Sequence, residues 1–375
     1  MTEDIKNVFG GANAPSLHSI QQQEIELSFT AKTYGTIEEI VSHIGKNDKT
    51  YNVSTNSLRV DGEVVQDDMS KYLSDKRFGS SALKKALKSE LHILFDKSEE
   101  KKQLEKIEGE KSHFKLGEYL HQCILEPTKF SRVIVEPNYS KASHAGCDSL
   151  IEFWTQQMGA QISESIDMSK ASLPDKKEYI QKLKDESGLS CVSESDFLKI
   201  QILKKHYENY GNGIIERLLK NSKREISMYG SLYKIRPDAL QFEENIGVNA
   251  IISVKSTAQE DLRGYMKYCA IYNYDLSEAF YLDLASKITG RNFNTVINIV
   301  LQTVEPYGVA VVVYSQADLE IGYYKMQNAK QIFERCLDTG IYRSYDMYAQ
   351  EGHMGLIESS LPKWNQEQLL NTSNH

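Results

Sequence analysis

Residues Leu232 to Lys255, LYKIRPDALQFEENIGVNAIISVK, carry the reading that decides the fold. They read as two strands. Side chains alternate along a strand, so Lys234, Arg236 and Asp238 share one face of the first, Leu232 to Leu240. On the second, Val248 to Lys255, Ile251, Ser253 and Lys255 share a face, while Ile252 and Val254 take the other. If the two strands pair, Asp238 and Lys255 meet at one end of the sheet. A carboxylate and a lysine on neighbouring strands are what a metal-dependent phosphodiesterase needs. The carboxylate holds a divalent metal; the lysine orients or activates water and offsets charge developing on phosphate. Taken singly, Asp238 reads as a turn-former after Pro237 and Lys255 as a solvated strand end. The pair, with Arg236 and an upstream histidine, points to chemistry.

That histidine is His121, on an amphipathic helix from Phe114 to Leu125 that Pro127 closes. Glu118, three residues earlier, shares its helical face. Around these lie Ser80-Ser81 capping a helix through Leu83, Leu87 and Leu91, and a long helix from Ser193 to Leu219. A strand from Arg224 to Met228 turns at Tyr229-Gly230-Ser231 into Leu232 to Leu240. After Lys255 come a helix from about Gly264 to Ser286, buried strands Phe293 to Gln302 and Val309 to Tyr314, and a helix from Ile321 to Thr339. This order predicts an α/β fold, a central mixed sheet flanked by helices. Residues 1–70 read as an accessory unit, with a helix from Thr36 to Ile44 and a hairpin from Tyr51 to Val65 turning at Asp61-Gly62. Residues 71–364 read as the main domain, with an insertion at about 140–185, and 365–375 as a polar tail.

Composition narrows the class. The chain has 375 residues, 40% hydrophobic and 26% charged, which excludes wholesale disorder. Its net charge of -8 requires any DNA path to be a local basic strip on an acidic body. Five widely spaced cysteines with no CxxC argue against a zinc cluster or a disulfide framework and for a reducing compartment. The run around Val309 to Tyr314 is too short to cross a bilayer. Met1-Thr2-Glu3-Asp4 has neither the basic nor the apolar region of a signal peptide, so a cytoplasmic chain without membrane contact is expected.

With these residues in place, the arrangement resembles the exodeoxyribonuclease VIII (RecE-like) family of PD-(D/E)xK nucleases. Gly117 to Pro127 (GEYLHQCILEP) resembles its histidine helix, Lys234-Ile235-Arg236-Pro237-Asp238 its first acidic motif, and Ser253-Val254-Lys255-Ser256-Thr257 its acid-x-lysine strand. Ser80 to Lys84, Glu225 in the preceding strand, Gly340 to Tyr345 and Leu361 to Trp364 agree in order, so the resemblance covers about residues 72–364. It implies a PD-(D/E)xK fold and Mg2+- or Mn2+-dependent digestion of double-stranded DNA ends in a bacterial or phage-infected host. It also implies a single-strand annealing partner in phage-type recombination and a homo-oligomer. By resemblance, His121, Asp238, position 253 and the Val254 carbonyl hold the metal, and Asp238 and Lys255 act in catalysis. Lys234, Arg236, Glu225, Tyr274 and Ser277 stand where DNA contact or site support is implied.

Two positions depart from that pattern. Ser253 stands where the family has an acid, and a hydroxyl is a poor ligand for a hard cation. Ser277 stands where it has a glutamine. Glu118 and Glu278 are candidates for a migrated acid, as are Glu243 and Glu244. Glu278 adjoins Ser277, but one helical residue turns a side chain by about 100 degrees, so it does not simply replace Ser277. The expectation is a nuclease with a weakly held metal. The alternative is an impaired nuclease-fold protein serving as a DNA-binding, recombination-partner or structural component. An unrelated α/β interaction protein fits the motif order least.

Overall fold

In the computed structural model, residues 34–96, 98–101, 103, 113–130, 133–158 and 167–358 are described. Helix α1 (Ile37–Lys46) leads to β1 (Glu63–Val65) and α2 (Ser80–Ala86). Next come α3 (His113–Leu125), β2 (Ile134–Glu136), α4 (His144–Met158), α5 (Leu173–Ser187), β3 (Cys191–Ser193) and α6 (Glu194–Asn209). Strands β4 (Lys223–Arg224), β5 (Ser227–Tyr229), β6 (Lys234–Ile235), β7 (Ala239–Gln241) and β8 (Asn249–Thr257) follow. Helices α7 (Leu262–Ile271) and α8 (Tyr274–Thr289) precede β9 (Phe293–Gln302), β10 (Val309–Val313) and α9 (Gln316–Thr339).

The β-branched runs of β8 and β9 form the centre of a five-stranded mixed sheet ordered β10-β9-β8-β7-β4. β8 and β9 are parallel; the other neighbours are antiparallel. Alternation gives the central strands two faces. Ile251 and Val296 pack with Leu276, Phe280, Tyr323 and Met326 of α8 and α9. Ile252, Val254, Ile297 and Ile299 pack with Leu120 of α3 and Ile200 and Leu203 of α6. The expected architecture, a mixed sheet with helices on both faces, is therefore present. The two helices on the first face approach closely: a Cβ at Gly322 would lie 2.3 Å from the Asp275 carbonyl oxygen, so only glycine fits there.

Several expected elements are interrupted. Pro237 has no N–H for a ladder, and the strand read from Leu232 to Leu240 divides into β6 and β7, which lie in different sheets. Lys234 and Asp238 therefore do not share one strand face. The strand read from Arg224 to Met228 breaks at Glu225, whose φ is 53°. The helix read from Gly264 to Ser286 breaks at Asn273 (φ 50°), and that from Ser193 to Leu219 at Gly211 and Gly213 (φ 53° and 82°). Its start was legible: Ser193 Oγ accepts from Asp196 N at 3.0 Å. The helix from Ser80 stops at Ala86, and Glu90–Asp96 forms another. The stretch read as an insertion carries α4 and α5, which share a small core of Cys147, Leu150, Trp154, Ile180 and Leu183.

Tyr51 to Val65 is not a hairpin. Gly62 turns the chain at φ 105°, but β1 pairs with β5 in a second sheet, β1-β5-β6. Residues 34–70 thus share sheet and core with the body: Leu58 packs with Met228 and Ile288. Residues 1–33, Leu361 to Trp364 and 365–375 lie outside the described residues.

Candidate active site

The register places Asp238, immediately before β7, beside Ser253 on β8, and pairs Ser253 with Asn298 on β9. A polar row thus crosses an otherwise apolar sheet on the face covered by α8. Asp238 Oδ2 accepts a hydrogen bond from the Val254 backbone N–H at 2.6 Å. This fixes the carboxyl group at the strand junction and leaves Oδ1 without a hydrogen bond among the described residues. Below it, the left-handed Glu225 donates its N–H to the Asp238 carbonyl at 3.1 Å.

Helix α8 brings Glu278 down onto this row. Glu278 is 2% exposed. Ser253 Oγ donates to its Oε2 at 3.4 Å, and Lys255 Nζ lies 3.4 Å from its Oε1. Burial raises the Glu278 carboxyl above the ordinary glutamate range, and the charge of Asp238 adds to the rise against the pull of Lys255. Burial alone would lower Lys255, but Glu278 and Asp238 outweigh it and hold the ammonium protonated beyond the ordinary lysine range. Tyr281, three residues after Glu278, is raised by burial and by the charges of Asp238 and Glu278. The Tyr274 ring has two cations against it, Lys84 Nζ 5.2 Å and Lys255 Nζ 5.7 Å from its centroid. Burial, then the nearby charge of Lys255, lowers Lys84.

The other candidates separate clearly. Arg236, 8% exposed, reaches Glu225 Oε2 at 3.0 Å, the Asp67 carbonyl at 2.9 Å and Ser227 Oγ at 2.7 Å. Lys234 is buried and donates to the carbonyls of Tyr72 and Asp75. Both cations are engaged in these internal contacts. Glu118 is exposed and accepts from Gln122 at 3.4 Å; Glu243 accepts from Asn249 and Glu244 pairs with Arg291. Ser277 Oγ is buried without a hydrogen-bond partner among the described residues. His121 is half-buried on α3, whose Leu120 packs on the sheet face opposite Ser253 and Lys255. It makes no hydrogen bond or ion pair to Asp238, Lys255 or Glu278 in the described structure. Asn298, the one amide inside the apolar run VINIV, and Lys84, at the end of the Ser80–Lys84 stretch, are site neighbours that the sequence pattern does not single out.

A mixed sheet with a carboxylate at a strand junction and a lysine on the next strand carries two of the three side-chain positions of the PD-(D/E)xK motif, Ser253 standing at the third. The chain belongs to the family of PDDEXK-like domains of unknown function (DUF3799), matched over residues 79–341. Asp238, Lys255, Glu278 and His121 all lie within that span. No curated protein matches the sequence. A crystal structure from Eubacterium rectale, provisionally named an exonuclease, is 11% identical over 65% of this chain and 96% of that one. Its TM-score of 0.32 is too low to bear on the site.

Proteins of this class generally depend on a divalent metal, and the donors here suit one. Asp238 offers a free carboxylate oxygen, and the raised Glu278 carboxyl would be relieved by a cation. Among the described residues no group of three or more His, Cys, Asp and Glu comes together. A magnesium ion nevertheless binds through one or two carboxylates and keeps several waters.

The raised Glu278 gives a pH dependence with a definite sign. Its proton returns at a higher pH than for an ordinary glutamate, and any metal it held would require it ionised. Manganese affinity should therefore fall as pH is lowered through that raised value and recover as pH rises. Titration calorimetry from about pH 5 to about pH 8 checks this against Glu278→Gln, which should flatten the profile.

Proposed function

We propose that this chain is a metal-dependent DNA nuclease in which Glu278 supplies the acid that Ser253 does not. The observation that carries this reading is the buried Glu278 carboxylate, 3.4 Å from both the Ser253 hydroxyl and the Lys255 ammonium. An acid supplied from α8 reaches the same neighbourhood as one on β8, because Ser253 faces that helix. Asp238 and Glu278 would hold the metal. When bound, a divalent ion lowers the pKa of attacking water and offsets charge on the scissile phosphate. Lys255 sits beside Glu278 to hold an attacking water or meet a phosphate oxygen, and its raised pKa keeps it cationic at neutral pH. Asp238, held by the Val254 N–H, is pre-positioned and needs no rearrangement to bind. Digestion of duplex ends beside a single-strand annealing protein rests on the motif resemblance.

Wild-type protein is expected to degrade linear duplex DNA in magnesium and to stop when the ion is chelated. A second reading, a DNA-binding protein without catalysis, draws on the absence of a three-ligand cluster among the described residues. It is favoured if DNA binds but is left intact in both magnesium and manganese.

A further inference from the structure

We propose that Tyr274, Tyr268 and Tyr272 form a ladder of contacting rings whose exposed outer ring, Tyr272, stacks on a base of an unpaired DNA end leading to Lys255. This rests on the nuclease reading above and adds a substrate form to it. The ladder arises where the sequence bends. Tyr272 ends α7, Asn273 reverses the chain at φ 50°, and Tyr274 opens α8. Tyr274 is thereby returned against Tyr268, their ring centroids 5.8 Å apart and edge to face. Tyr272, one helical turn beyond Tyr268, continues the row at 4.2 Å. At its inner end the row touches Lys255 and Lys84 through Tyr274. At its outer end Tyr272 is 48% exposed.

The occupant follows from the charge and the chemistry. Helix α7, LRGYMKYCAI, has no acidic residue in a chain of net charge -8. Its Arg263 and Lys267 are exposed and make no ion pair among the described residues. An exposed ring beside cations and leading towards Lys255 suits a strand that stacks a base there while its phosphates meet the lysines. A closed duplex hides its base faces in its own stack, so the ladder serves an unpaired strand.

The test is fluorescence anisotropy with oligothymidylate and with a blunt duplex, in calcium, for wild type, Tyr272→Ala and Tyr272→Phe. Tyr272→Ala should weaken the single strand roughly tenfold or more, and Tyr272→Phe by no more than about twofold. The blunt duplex should respond much less. A terminal 2-aminopurine should be quenched by wild type and not by Tyr272→Ala, and matching thermal melts exclude misfolding. Unchanged single-strand affinity in Tyr272→Ala, or binding of duplex alone by wild type, overturns the ladder and leaves the nuclease reading standing. Failure of wild type to bind either DNA overturns both.

Discussion

Glu278→Gln is expected to slow cleavage of linear duplex DNA in magnesium by roughly 10²- to 10³-fold, the cost of removing one charge-stabilising group from a catalytic site. Glutamine keeps the shape, the burial and the contact with Ser253 while removing the negative charge. Loss of activity with an unchanged melting temperature would therefore report on charge rather than packing. Ser253→Ala should cost far less, because Ser253 contributes only a long hydrogen bond of 3.4 Å. An acid restored on the strand, Ser253→Asp in the Glu278→Gln background, should return part of the rate. If Glu278→Gln retains full activity while Asp238→Ala has none, Glu278 is only the structural partner of Lys255 and the acid lies elsewhere.

Arg236→Met is expected to lower the unfolding free energy by about 3–5 kcal/mol, since removing one member of a buried ion network strands the others. The side chains of Asp67 and Glu225, 5% and 18% exposed, would lose their cation. Burial alone raises Asp67, yet hydrogen bonds from Ser227 and Tyr229, together with Arg236, hold it below the ordinary aspartate value. That stabilising charge is lost from wild type as pH falls, so the stability gap between wild type and variant should narrow in acid. Urea melts of wild type and variant measure both effects. A change under about 1 kcal/mol would mean that water or another cation already serves these carboxylates. The network also ties Asp67, from the segment before the matched family span, to the backbone two residues ahead of Asp238.

The sequence made the long elements legible and the site half legible. Strands β8, β9 and β10 were read within a residue or two at each end, because β-branched apolar runs between turn signals permit little else. The misread boundaries share a cause: Glu225, Asn273 and Gly211 reverse the backbone through the left-handed region, and Pro237 breaks a ladder. None of these changes hydrophobic periodicity, so strands and helices were joined across them. That Asp238 and Lys255 lie by neighbouring strands was legible from the adjacency of two β-type runs, which is local, although Pro237 breaks the alternation read across the first. Glu278 was weighed against position 277 on its own helix, where a rotation of about 100 degrees argued against replacement. That geometry holds: Ser277 and Glu278 do not substitute for each other. The structure brings Glu278 to Ser253 instead, across a helix–sheet contact no pattern within α8 reveals. Most of α8 is buried on every side, so its apolar spacing does not mark which face meets the sheet.

The most direct measurement is anomalous diffraction from crystals soaked in manganese, with wild type and Glu278→Gln compared. A peak within coordination distance of both the Asp238 and Glu278 carboxylates, about 2.0–2.3 Å, and its loss in Glu278→Gln, is the expected result. A peak held by His121 and Asp238 without Glu278, or no peak at all under conditions where the protein cuts DNA, would contradict a migrated acid.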